Sequence, residues 1–173
     1  TPKQVPTEYH EAITANRRDL TKLSSCAREF LKHFSGWAVC VTLIATIVAR
    51  IAVGEWSYYD LLIPFVVFAI QPFVEWFIHV YLLHLKPFTI GGREFDIYTA
   101  KAHRRHHMAP SSLDRILLHP MEIIASMVMI ALTALAIVGV LVAIFGGELL
   151  PLWLTALVFS YAGLLRYEWS HFL

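Results

Sequence analysis

Charge is scarce in this 173-residue chain: Asp, Glu, Lys and Arg make up only 16% of it, against about 25% in soluble globular chains. The excess of one sign is smaller still. Fourteen Lys and Arg against 13 Asp and Glu leave a net charge of +1, so there is no broad basic surface to attract nucleic acid. Cysteine is nearly missing. Cys26 and Cys40 are the two in the chain, which excludes a disulfide framework or a cysteine-rich zinc fold, and both read as buried thiols. Internal repeats and low-complexity tracts are absent. The chain starts at Thr1 without a basic-then-apolar signal segment and stops at Leu173 just after an aromatic and ionisable cluster; the expectation is a fragment of a longer protein.

What the chain has in excess is apolar surface. Hydrophobic residues account for 57% and the mean hydropathy is +0.58, more than a soluble domain of this size can hide from water. An integral membrane protein, all-α, is the predicted class. Residues 1–35 are polar but patterned: Ile13, Leu20, Leu23, Ala27, Phe30, Leu31 and Phe34 recur at helical spacing among Arg17, Arg18, Lys22, Arg28 and Lys32. That segment predicts an N-terminal amphipathic helix lying on a membrane surface. An ordinary soluble helix packed on a partner is the alternative. Residues 36–173 are expected to form a membrane-embedded domain whose C-terminal part lies beyond Leu173. Four apolar stretches mark its spans: Gly36–Val53, Leu61–Leu83, Met121–Phe145 and Leu149–Leu165. Arg50 lies close enough to one end to snorkel, and Gly146-Gly147-Glu148 predicts a tight hairpin between the last two spans.

Orientation follows from the loops. Six Lys and Arg fall in residues 1–35 and six in Lys86–Arg115, whereas 54–60 and 146–148 have none. The positive-inside rule makes both basic segments cytoplasmic. This places His79 and His84 at the cytoplasmic end of the second span, His103, His106 and His107 in the cytoplasmic loop, and His171 just past the fourth span. Six histidines from three segments converge on one face, forming a histidine-rich cap, although the histidines were not used to set the topology.

Imidazole is the commonest metal ligand. On a helix His103, His106 and His107 lie within about 100° of arc, a metal half-site or part of a two-metal site; the bland alternative is a solvated basic run. Arg104 and Arg105 point elsewhere, towards phosphate headgroups. His79 and His84 are i and i+5, about 140° apart on a regular helix. They suit two different ions, or a helix that unwinds near Leu83. Glu75, one turn before His79, is expected to orient it through the second ring nitrogen, and Glu168 to do the same for His171. His119, between Leu118 and Pro120, reads as a helix-start residue; His10 and His33 as facing solvent or headgroups. Trp37, Trp56, Trp76, Trp153 and Trp169 read as interfacial anchors near span ends.

His79-x4-His84 followed by His103-x2-His106-His107 in a membrane chain resembles the first two histidine boxes of the fatty acid hydroxylase / sterol desaturase superfamily. Tyr167-Glu168-Trp169-Ser170-His171 looks like the lead-in to that family's H-x3-H box, with His171 its first ligand. The resemblance extends from about Gly36 to Leu173 and reaches only the first part of the family's site. It implies a non-haem centre of two iron ions, with zinc also able to bind, held by His79, His84, His103, His106, His107 and His171. It implies O2-dependent hydroxylation or desaturation of a membrane lipid, with electrons from a ferredoxin- or cytochrome b5-like donor, and a fragment that is inactive without the missing boxes. Two other classes compete. A haem electron-transfer protein needs histidines deep in the spans; a divalent-metal transporter needs ionisable groups at the centres of several spans. The substrate lipid and the outcome of the oxidation are not encoded in the boxes.

Overall fold

The computed structural model describes residues 22–108 and 117–173, with the side chains of Arg105 and His106 outside the described set. A short helix α1 (Leu23–Phe30) leads into α2 (Phe34–Val53), and α3 (Tyr59–Phe77) continues without a break into a π-helical turn (Ile78–Leu83). Then come strands β1 (Phe88–Ile90) and β2 (Arg93–Phe95), α4 (Tyr98–Met108), α5 (Pro120–Phe145) and α6 (Leu149–Phe172). Among the described residues four helices are long and apolar enough to cross a membrane: Phe34–Val53, Tyr59–Leu83, Pro120–Phe145 and Leu149–Phe172. These are the four stretches the hydropathy marks, with one difference. The last helix runs on to Phe172 rather than stopping at Leu165. Its polar extension is held in place because Glu168 is 1% exposed and accepts a hydrogen bond from the backbone N–H of Leu118 at 3.4 Å, while Arg166 has an acidic partner on α3.

α6 is the axis of the bundle: α2, α3 and α5 all pack on it. Val138 of α5 meets Leu152 and Ala156 of α6, with Tyr59 and Ile63 of α3 closing the cluster. Direct bonds fix the register. Trp153 Nε1 donates to the carbonyl of Ala131 at 3.0 Å and the Tyr161 hydroxyl to that of Met127 at 3.1 Å. Trp153 thus ties helix to helix rather than anchoring an interface. At Gly163 the amide end of the Gln71 side chain lies over the Cα, in the space a Cβ would take, so a larger residue there would displace that side chain.

The two ends of the bundle differ. At one, Arg50 turns inward instead of snorkelling. It is 3% exposed, pairs with Asp60 at 2.8 Å and donates through Nε to Thr155 Oγ1 at 2.7 Å. Asp60 also accepts from the Ser57 backbone N–H at 2.8 Å and from the Thr155 hydroxyl, and Trp56 stacks under the guanidinium at 3.7 Å. At the other end α1 packs through Cys26 and Phe30 onto Leu117 and Phe172, with Leu165 and Trp169 alongside. Of the N-terminal helix expected over residues 1–35, residues 1–21 and with them His10 lie outside the described residues; Leu23–Phe30 is helical. His33 is half-buried with its ring tilted against Phe172 at 6.4 Å.

The chain is not wholly helical. Phe88-Thr89-Ile90 pairs antiparallel with Arg93-Glu94-Phe95, reversing through Gly91 and Gly92, both at positive φ (59° and 78°). Two consecutive residues at positive φ are what a two-residue hairpin turn of the right twist requires, and glycine adopts them without strain. The hairpin carries the chain from the end of the second span back to α4.

Candidate metal centre

Two elements bring four imidazoles together. On α4, His103 and His107 stand one turn apart, with Nε2 atoms 3.0 Å apart. His79 on the π-helical turn and His84, which caps that turn, have Nε2 atoms 3.3 Å apart. An α-helix would splay that pair by about 140°. In a π-helix the backbone bonds run from i to i+5, so residues five apart stack on one face. The helix does end at Leu83, as one of the two expectations has it, but it widens into a π-turn before it stops, and His84 is the residue that caps it. The widening is by one residue per turn, and the i, i+5 pair becomes the counterpart of the i, i+4 pair on α4.

α4 packs on the π-turn, so the two pairs face each other. One ring nitrogen from each of His79, His84, His103 and His107 lies within 4.8 Å of the others. Ring centroids of His79 and His84 lie 4.8 and 5.0 Å from that of His103, and 6.5 and 5.1 Å from that of His107. His103 is buried at 9% exposure, His79 half-buried, His84 and His107 exposed. The cluster thus has a closed inner wall and an open outer rim.

The donor set fits a first-row divalent metal ion. Metal–imidazole bonds of about 2.0–2.1 Å in a tetrahedral shell separate neighbouring nitrogens by about 3.3 Å; the separations within each pair, 3.3 and 3.0 Å, are close to that, whereas the four nitrogens together span up to 4.8 Å, so the two pairs would draw together to close on one ion. Four imidazole nitrogens with no thiolate suit iron or zinc.

The remaining expected residues are placed differently. His106 lies on α4, but its side chain falls outside the described residues. His171 is in the last turn of α6 with its ring 5.1 Å from that of Tyr167, and is not one of the four converging imidazoles. Glu75 does not orient His79. Its carboxylate is held by Arg166 at 2.8 and 3.0 Å and by Gln71 at 2.8 Å, because the face of α3 carrying Gln71 and Glu75 packs on α6. Glu168 is bonded to the backbone N–H of Leu118 and so fastens α6 to the approach of α5. His119 caps α5 as its position between Leu118 and Pro120 predicts: its Nδ1 accepts from Met121 N–H at 3.3 Å, and Glu122 accepts from His119 N–H at 3.0 Å.

Two features escape a reading by ligand spacing. The Gly91-Gly92 dipeptide between two short β-prone runs is a hairpin signal, and it sets the path between the histidine pairs. Arg104 does not reach outward to headgroups; it folds back onto the Leu85 carbonyl at 2.6 Å and onto Asp96. Comparison of the chain with protein-family models, curated proteins and solved structures gives no match.

Proposed function

We propose that the chain belongs to a membrane non-haem iron oxygenase that hydroxylates or desaturates a lipid, resembling the fatty acid hydroxylase / sterol desaturase superfamily. The observation that carries this reading is the convergence of His79, His84, His103 and His107 at the end of a bundle of four membrane-length helices. These four hold one ion, and His106 and His171 contribute to the ligand set of a second. Iron held there supplies the activation of O2 needed to attack an unreactive C–H bond. Hydroxylation consumes O2, two electrons and two protons, inserts one oxygen into the C–H bond and releases the other as water.

The residues themselves divide the labour. Buried His103 and half-buried His79 form the wall nearest the bundle, where an acyl chain or sterol reaches the site from the bilayer along lipid-facing α3. Exposed His84 and His107 form the rim, open to a ferredoxin- or cytochrome b5-like electron donor. Fixed ligation on two short, mutually packed elements holds the reacting bond and the metal in register, which is the protein's share of the work. The basic loop beside the rim, with Lys86 and Lys101, orients this end to the cytoplasm.

Elemental analysis of the protein purified in detergent tests the reading, alongside the variant His107→Ala. Iron bound in stoichiometric amount by the unaltered chain and lost from the variant is the expected result. A chain that binds no metal, or a variant that keeps its full complement, overturns it. A strong haem absorption band transfers the chain to the electron-transfer class.

A further inference from the structure

The two histidine pairs lie 19 residues apart in the chain, between His84 and His103, and one side chain ties both ends of the intervening segment together. Arg104 follows His103 on α4. Its Nη1 donates to the Leu85 carbonyl, one residue past His84, at 2.6 Å. Its Nη2 pairs with Asp96, two residues before α4 starts. The Arg104 and Asp96 side chains are 31% and 25% exposed, so the pair is partly screened by solvent and the bond to the Leu85 carbonyl is the less exposed arm of the fork. The guanidinium is planar and its nitrogens are fixed relative to one another, so holding two oxygens at once fixes both angle and distance.

We propose that Arg104 is a positioning residue of the four-histidine site. By holding the Leu85 carbonyl and Asp96 together it sets the separation of the His79–His84 pair from the His103–His107 pair. This rests on the reading of those four imidazoles as ligands to one ion. Between the two pairs the chain passes through a hairpin whose six strand residues are all exposed; an isolated two-stranded hairpin is at best marginally stable in water, so it is a poor spacer by itself. Arg104 shortens the mechanical path between the pairs to a single residue step at each end: Leu85 next to His84, and Arg104 next to His103. Metal–ligand bonds keep within about 0.2 Å of their standard lengths, so a clamp this close to both pairs bears on affinity through the separation it sets.

The test is a cobalt(II) titration of the full chain in detergent, comparing it with Arg104→Gln, Arg104→Lys and Asp96→Asn. Visible absorption reports ligand geometry, and thermal melting of the metal-free forms reports the fold. Loss of an outer partner of this kind lowers metal affinity about 10- to 100-fold. Arg104→Gln is expected to show that loss and a changed cobalt spectrum, with metal-free melting unaltered. Arg104→Lys, which reaches one oxygen but not both, recovers part of the affinity, and Asp96→Asn loses less than Arg104→Gln. Unchanged affinity and spectrum in Arg104→Gln overturns the proposal, as does an affinity loss matched by a fall in metal-free melting in all three variants. Failure of the unaltered chain to bind cobalt is a separate result that removes the metal reading and the clamp with it.

Discussion

At the scale of single residues, the chemistry-bearing side chains were legible and their partners were not. Imidazoles spaced to share a helix face announce themselves, and His103 and His107 meet as that rule requires. Glu75 illustrates the limit. One turn before His79 it has the spacing of a carboxylate that orients a ligand, yet its oxygens are taken by Arg166 and Gln71. A one-dimensional spacing cannot show that a residue 91 positions away offers a guanidinium at 2.8 Å. The consequence is testable. Glu75→Gln should leave metal stoichiometry and cobalt spectrum unchanged while weakening the contact between α3 and α6, by about 0–1 kcal/mol for a half-exposed pair, read as a small fall in melting temperature. Loss of metal from this variant would restore Glu75 to the role of orienting His79.

At the scale of elements, the four spans were readable because a 20-residue apolar run has few other uses. The π-turn was not. Helix type depends on which carbonyl each N–H reaches, and the residues Ile78–Leu83 read the same in either form; the wider turn is the one that packs against α4. Its geometry predicts the outcome of exchanging two neighbours, Leu83→His together with His84→Leu. On an α-helix the exchange would create an i, i+4 pair with His79 and keep the site. On the π-turn position 83 faces the interior, where Leu83 is 8% exposed, so metal affinity should drop at least about tenfold, as for loss of a ligand or its immediate support. Undiminished binding in a cobalt titration would mean that the turn relaxes to an α-helix.

At the scale of the whole molecule, the bundle is pinned at the end opposite the histidines by ionised groups. Arg50, Asp60 and Thr155 come from three helices and form one bonded knot. Removing one partner of a buried pair leaves the other charge stranded, so Asp60→Ala should cost about 3–5 kcal/mol, seen as a large fall in melting temperature in detergent. Because the knot lies at the far end from the metal site, the folded fraction of this variant should still bind cobalt with the original spectrum; a changed spectrum would show that the two ends are coupled. The sequence marked Arg50 as a residue near a span end, but only the three-helix meeting reveals that it faces inward.

The central place of α6 has a consequence for how the protein is made. It is the least apolar of the four spans and the most enclosed by the others, carrying Thr155, Arg166 and Glu168 on faces that meet protein. The three helices that surround it are all synthesised first. A nascent α6 released alone into lipid would expose those polar groups to hydrocarbon, so its entry into the bilayer depends on a cleft that α2, α3 and α5 have already formed. Insertion of α6 is then a checkpoint for the assembly of the three helices around it, and a lesion in any of them should surface as a chain whose α6 fails to stay in the membrane.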